Sequence, residues 1–262
     1  MSFRFPARND LISVGEQVSE KTEGGQKIAV WRSEQPPRVA GFIYGDFQKV
    51  SRADGQAGVT VDVHVLRGPE FVAMAGTPLA DAVNTIRVGN QYFGPSPFPR
   101  LSITQQTQMA SAQSWPTLVF LSTISFIGGS DTALGFRGVD PRALQSLKEF
   151  GNTVAWHEVA HQWWGHQVGW SSYRDQWLSE GFAEFTSALL LEVNSGRKKA
   201  DAFWEARRGE IFLKTTGVAN HEAGPITQGF RLRTSKSPGA GQEGGIFAFA
   251  SDVDADQRME ID

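Results

Sequence analysis

Residues 157–161 read His-Glu-Val-Ala-His, inside the stretch WHEVAHQWWG from Trp156 to Gly165. Of all features in the chain, this spacing leaves the fewest structural options. On a helix, two residues four apart lie about 40° apart in projection, one turn above the other on one face. Both imidazoles then reach a single ion, and neutral imidazole is a good zinc ligand at roughly 2.0 Å. Glu158 follows the first histidine directly. Its carboxylate falls beside the open position of such an ion, where it can activate a bound water. The chain has no cysteine, which removes disulfides and thiolate ligands, so His, Asp or Glu must hold any metal.

A catalytic zinc ion keeps three protein ligands and one open position. The segment YRDQWLSEGFAEF supplies a candidate third ligand in Glu180, near the start of an amphipathic helix, WLSEGFAEFTSALLLEVNSG, that ends near Gly196. Eighteen residues, 162 to 179, separate His161 from Glu180. That loop is long enough to turn the chain back and bring a second helix to the same ion.

HEVAHQWWG followed after eighteen residues by WLSEGFAEF resembles the gluzincin zinc metallopeptidases of the aminopeptidase N and leukotriene hydrolase family. The resemblance implies one Zn2+ held by His157, His161 and Glu180, with Glu158 as general base. It implies zinc-dependent, aminopeptidase-like hydrolysis of peptide bonds in a peptide or protein substrate. Zinc would acidify its water and polarise the scissile carbonyl. Glu158 would take the proton and pass it to the leaving amine. Members of the family also carry a GAMEN-type loop on an edge strand, whose glutamate binds the free α-amine of the substrate. Anchored on Trp115, that loop falls on MASAQSWPTLVF and puts Gln113 in the glutamate's place as a substrate-binding candidate. A neutral amide accepts a hydrogen bond from an ammonium but offers no ion pair.

A family tyrosine well downstream stabilises the oxyanion. The three tyrosines here are Tyr44, Tyr92 and Tyr173, none after Glu180. The stretch GPITQGFRLRTSKSPGA (224–240) resembles the approach to the tyrosine segment, after which the chain runs GQEGGIFAFASDVDADQRMEID. The expectation is a fragment covering the middle of the family's architecture, its activity impaired by the missing tyrosine. The rival reading is a zinc-binding but catalytically impaired peptide-binding or vestigial protein.

The remaining sequence is read as α+β: the end of an amino-terminal β domain (1–67), an incomplete thermolysin-like catalytic domain (68–240) with the zinc site on two helices, and an acidic, disordered tail (241–262). QKIAVWRSE (26–34), RVAGFIYGDFQKVSR (38–52) and VTVDVHVLR (59–67) are predicted strands separated by turn-rich breaks. The alternation in VTVDVHVL predicts one buried and one wet face, with His64 a structural or solvated histidine on the polar side. GTPLADAVNTIRVGNQYFG (76–94) is predicted to be a helix capped by Thr77, with Pro78 at its first position. RLSITQQ and residues 117–125 are predicted strands. DPRALQSLKEF opens a helix at Asp140 and Pro141, and a further helix after Gly151 carries the histidines to Gly165. ADAFWEARRGEIFLKTTG is another helix.

A formal net charge of -3 leaves no polybasic surface for nucleic acid or anionic lipid. MSFRFPARND has no apolar core of a signal peptide, and WPTLVFLSTISFIGG (115–129) is too short to span a membrane. His166 follows Gly165 and is expected in a loop, away from the face of His157 and His161. Glu184 is open to two readings, as an outer partner of a ligating histidine or as a solvated or capping residue. Trp163, Trp164 and Trp177 are expected to pack around the site. His221 is expected in an unrelated loop. Asp175 can reach towards a ligating histidine on position alone.

Overall fold

The computed structural model describes residues 1–37, 39–107, 111–126, 141–212, 214–215 and 218–219, with the backbone alone for 141–150, 173 and 210–219. The Asp140 cap, the 224–240 segment, His221 and the expected tail lie outside the described residues. The fold is α+β. Strands β1 (Ser2–Pro6), β3 (Glu16–Glu23) and β4 (Gln26–Arg32) form an antiparallel sheet in the order β1-β4-β3. β2 (Asp10–Ser13) pairs with β5 (Phe42–Gly45). A five-stranded sheet follows, built from β6 (Phe47–Asp54), β7 (Val59–Leu66), β8 (Arg100–Gln106), β9 (Ala112–Trp115) and β10 (Leu118–Ser122). Its order is β6-β7-β8-β10-β9. β7, β8 and β10 run parallel, while β6 and β9 are antiparallel strands at the two edges. The helices are α1 (Pro69–Met74), α2 (Gly76–Phe93), α3 (Pro141–Ala160), α4 (Gln176–Ser195) and α5 (Arg197–Phe212).

The alternation in β7 decides where the helices go. Val59, Val61, Val63 and Val65 share one face and are all buried, against Leu79, Val83 and Ile86 of α2 and Ala155, Val159 and Trp163 at the end of α3. The opposite face is not wet, as the alternation alone suggested. The amino-terminal strands cover part of it, packing Phe5, Leu11, Ile12 and Trp31 against Phe47, Leu118 and Leu66. Asp62 on this face is buried, and its charge is met by Arg100 at 2.6 Å and by the Ser51 hydroxyl. His64 lies between Lys49 and Thr104 on the flanking strands. Burial, which disfavours the imidazolium, brings it down to about 4, so it is a neutral structural histidine at ordinary pH.

Two helix boundaries differ from the sequence expectation. The helix with the histidines is one continuous element from Pro141 to Ala160, although Gly151 suggested a break. A Cβ at Gly151 would lie 3.3 Å from the Ile124 carbonyl oxygen. The glycine therefore serves close approach of helix and chain, and does not end the helix. Thr77 does not cap α2. α1 runs almost directly into it through Ala75, whose carbonyl accepts from Leu79 N at 3.2 Å. Among the described residues no helix is long and apolar enough to cross a membrane.

α2 and α3 meet where Gly89 opens a notch for Trp163. A Cβ at Gly89 would stand 2.6 Å from the indole ring, and the ring is pinned by its Nε1 donating to the Gly94 carbonyl at 3.1 Å. Alanine favours a helix by about 1 kcal/mol over glycine, but the buried ring has nowhere to move. Gly89→Ala is expected to destabilise the chain by about 1–3 kcal/mol, as read from urea unfolding midpoints.

Candidate metal centre

The site forms where α3 ends. His157 and His161 stand on successive turns, linked by His161 N donating to the His157 carbonyl at 3.3 Å. Beyond Ala160 the backbone tightens: Gln162 N bonds to Val159 O and Trp163 N to Ala160 O, both at 3.0 Å. Gly165, at φ +112°, turns the chain away from the helix. The chain then returns through a short turn at Tyr173–Asp175 into α4. Asp175 accepts from the backbone and hydroxyl of Ser172, at 3.1 and 2.9 Å, so it closes this turn and is not bonded to a histidine.

Trp164 clamps α4 against the end of α3. Its indole stacks on Phe182 with ring centroids 4.8 Å apart, and its Nε1 donates to the Thr186 hydroxyl at 3.2 Å. Trp163 and Trp164 are thus packing residues, as expected. The clamp presents Glu180 to both histidines. Glu180 Oε2 lies 3.2 Å from His157 Nε2 and 3.5 Å from His161 Nε2, and the two Nε2 atoms are 3.2 Å apart. Ligands bound at 2.0–2.1 Å and at tetrahedral angles around zinc stand roughly 3.3 Å from one another. The three donor atoms therefore already have the spacing of one face of such a tetrahedron. Among the described residues this is the one group of three His, Cys, Asp or Glu side chains that could hold a metal ion.

Each imidazole has its other nitrogen occupied. His161 Nδ1 lies 2.8 Å from the Trp164 carbonyl. A carbonyl only accepts, so Nδ1 carries the proton and Nε2 is left with its lone pair towards the ion. His157 Nδ1 lies 3.2 Å from Glu184 Oε2, with the same consequence. Of the two readings of Glu184, the buried histidine partner is the observed one. Glu158 is buried beside the triad. Burial raises its carboxyl above the ordinary value, partly offset by the neighbouring His161 and His157.

Two further polar residues tie the site to the sheet. Gln162, which the sequence reading passed over, is almost fully buried. Its amide donates to the Ser114 hydroxyl and the Trp115 carbonyl, both at 3.0 Å, and accepts from Thr117 N at 2.9 Å. Edge strand β9 is thereby fixed to the end of α3. The signal for Gln162 was a lone amide in an otherwise apolar HQWWG run. His166 is in a loop, but not remote: its ring centroid is 6.4 Å from that of His161, and its Nε2 is 3.2 Å from the Ser114 hydroxyl. Burial, with the nearby His161, pushes it down to about 3, so it stays neutral. Gln113 is exposed on β9, and among its described contacts is a 3.5 Å bond to the Ser114 carbonyl and none to the triad.

Without metal the triad is an ion-pair cluster. Burial alone would push His157 down, but its contacts with Glu180 and Glu184 bring it up to about 10. Burial would raise Glu180, yet His161 and His157 hold it well below the usual carboxylate range. The signs are opposite. A histidine raised above its ordinary 6.5 contributes stability that is complete below that pH and is lost as pH rises towards about 10. A carboxylate lowered below its ordinary 4.5 contributes stability present above that pH and lost in stronger acid. Metal-free protein is expected to be most stable between these two ordinary values and to lose Tm steadily into the alkaline range. A metal ion replaces the proton between His157 and Glu180, so the Tm gain on adding zinc should grow from about pH 5 to about pH 8. Thermal melts with and without metal across this range check both trends.

Residues 139–227 match the model of the peptidase family M1 domain. Endoplasmic reticulum aminopeptidase 1 of Homo sapiens is 29% identical over 169 residues, covering 63% of this chain and 16% of that protein. Aminopeptidase M1-A of Oryza sativa subsp. japonica is 28% identical over 196 residues, covering 73% of this chain and 21% of that protein. In fold, the chain is similar to the M1 zinc metallopeptidase from Deinococcus radiodurans, with a TM-score of 0.60 at 23% identity, covering 88% of this chain and 49% of that one. The chain thus spans about a fifth or less of these curated relatives and about half of that solved structure.

Proposed function

We propose that the chain, whose residues 139–227 match the model of the peptidase family M1 domain, hydrolyses peptide bonds with zinc held by His157, His161 and Glu180. One observation carries the reading. Three donor atoms stand 3.2–3.5 Å apart at zinc-ligand spacing, and a buried glutamate follows the first of them in sequence. Zinc at this triad would supply a polarised carbonyl and a water acidified towards neutrality. The chain's own groups do the rest. Burial keeps Glu158 a stronger base than an exposed carboxylate, which suits it to take a proton near neutral pH and give it to the leaving amine. Glu184 and the Trp164 carbonyl keep both imidazoles in the tautomer that binds metal through Nε2.

The preference is aminopeptidase-like, with Gln113 on β9 as the group nearest in sequence pattern to an α-amine receptor. A neutral amide holds an ammonium less strongly than a carboxylate does. Gln113→Glu is expected to lower KM for substrates with a free α-amine by about tenfold, from the extra 1–2 kcal/mol of a charged hydrogen bond, and to leave blocked peptides unchanged. Steady-state kinetics on an aminoacyl substrate and its acetylated form would settle it.

A second reading is zinc-dependent peptide binding with little turnover, from the same metal site. Measurement of bound zinc and of peptide cleavage separates the two. The expected result is one zinc per chain, lost in His157→Ala and kept in Glu158→Gln, with Glu158→Gln slowing cleavage by about 10²–10⁴. Zinc-loaded protein that binds peptides without cleaving them moves the assignment to the second reading. Cleavage unchanged in Glu158→Gln removes the proposed base.

A further inference from the structure

Two glutamates compete for His157. Glu180 and Glu184 lie one turn apart on α4, and each touches a different nitrogen of the same imidazole, both at 3.2 Å. Both are largely buried. A carboxylate that can rotate freely one turn from a metal ligand is itself a potential ligand. Something must hold Glu184 in its outer place, and that group comes from the next helix. Arg207 of α5 donates through Nε to Glu184 Oε1 at 2.6 Å, leaving Oε2 for His157. The guanidinium carbon of Arg207 sits 4.7 Å from the centre of the Phe203 ring. That contact restrains an otherwise mobile side chain through a cation–π attraction.

Resting on the zinc site proposed above, we infer that Arg207 is a positioning residue of the metal centre, acting through Glu184 to fix His157 and to keep Glu184 from replacing Glu180 as the third ligand. The chemistry of the partners supports this role. A carboxylate on the far nitrogen of a ligating histidine sets its tautomer, orients its ring and raises its basicity, and such partners typically matter 10–100-fold in metal affinity. Arg207 occupies one oxygen of Glu184 and neutralises its charge, so the other oxygen can serve as a fixed acceptor. His161 has no such relay, because its Nδ1 meets a backbone carbonyl. The two histidines are therefore held differently, one by the local turn and one by a chain of side chains across three helices. Arg207 lies 27 residues beyond Glu180, outside the spacing that defines the triad.

The test uses the full chain, with Arg207→Ala, Arg207→Lys, Glu184→Ala and the Arg207→Ala/Glu184→Ala double variant. Zinc affinity is measured by competition with a chromophoric chelator, and the ligand field by the visible spectrum of the Co2+-loaded protein. Circular dichroism of the metal-free variants shows which are folded. Arg207→Ala is expected to weaken zinc binding by about 10–100-fold and to shift the Co2+ bands, with Arg207→Lys recovering much of the affinity. In the Glu184→Ala background, Arg207→Ala should add nothing, because two residues of one relay are not additive. Should Arg207→Ala fail to fold, Arg207→Gln, which keeps a polar side chain but loses the charge, carries the same comparison, with weakened zinc binding and shifted Co2+ bands expected.

Zinc affinity and Co2+ bands unchanged in Arg207→Ala would overturn the inference. So would full additivity in the double variant, the result expected if Arg207 only held α5 in place. If the unsubstituted chain binds no zinc, or binds it unchanged in His157→Ala, the metal centre itself is wrong and the relay goes with it. Normal zinc binding with an indifferent Arg207 removes the relay alone.

Discussion

Three donor atoms held 3.2–3.5 Å apart in a largely buried site cannot stay there without positive charge between them. A proton between His157 and Glu180 serves in the metal-free chain, and a metal ion bound there would take its place. Most of what surrounds the site follows from that requirement. The carboxylate of Glu180 needs the cation, the lone pairs of His157 and His161 need their far nitrogens occupied, and the backbone must hold two helix segments in register against this local charge. Removing one partner from a buried charged cluster typically costs 3–5 kcal/mol. The scaffold therefore has to be stiffer than the site it carries.

That stiffness comes from aromatic and amide side chains of the HQWWG segment. Trp163 fills the notch left by Gly89 and ties α3 to α2. Trp164 locks α4 by stacking on Phe182 and bonding to Thr186. Gln162 fixes edge strand β9 through Ser114, Trp115 and Thr117. Three consecutive residues thus connect the end of one helix to a second helix, a third helix and the sheet. Gln162, Trp163 and Trp164 each have a separate neighbour to hold.

Legibility followed the range of the interaction. The helix-period spacing of His157 and His161 and the alternation of β7 are local, and both appear in the structure as the residues implied. The strands at 26–32, 59–66 and 100–106 and the helices at 76–93, 176–195 and 197–212 also lie close to the expected places. The errors came from glycine and from burial. Gly151 read as a break because a helix interior disfavours glycine, yet there it admits the Ile124 carbonyl. The face of β7 opposite its valines read as wet because polar residues in an alternating strand usually meet water, yet packing from the amino-terminal strands reaches that face. His166 was expected away from the triad, but the tight turn at Gly165 brings its ring within 6.4 Å of His161.

The sequence by itself determined which side chains could share an ion. Their types and the four-residue and eighteen-residue intervals are properties of the chain alone, and a helix converts the first interval into a common face. Only the tertiary structure decided how the ligands are held. Whether Glu184 meets water or His157, whether Gln162 is a surface amide or a buried clamp, and whether Arg207 has any bearing on the site depend on how α3, α4, α5 and the edge of the sheet pack together. Those pairings link residues 23 to 48 positions apart, and no periodicity in a linear chain records which distant side chain will be its neighbour.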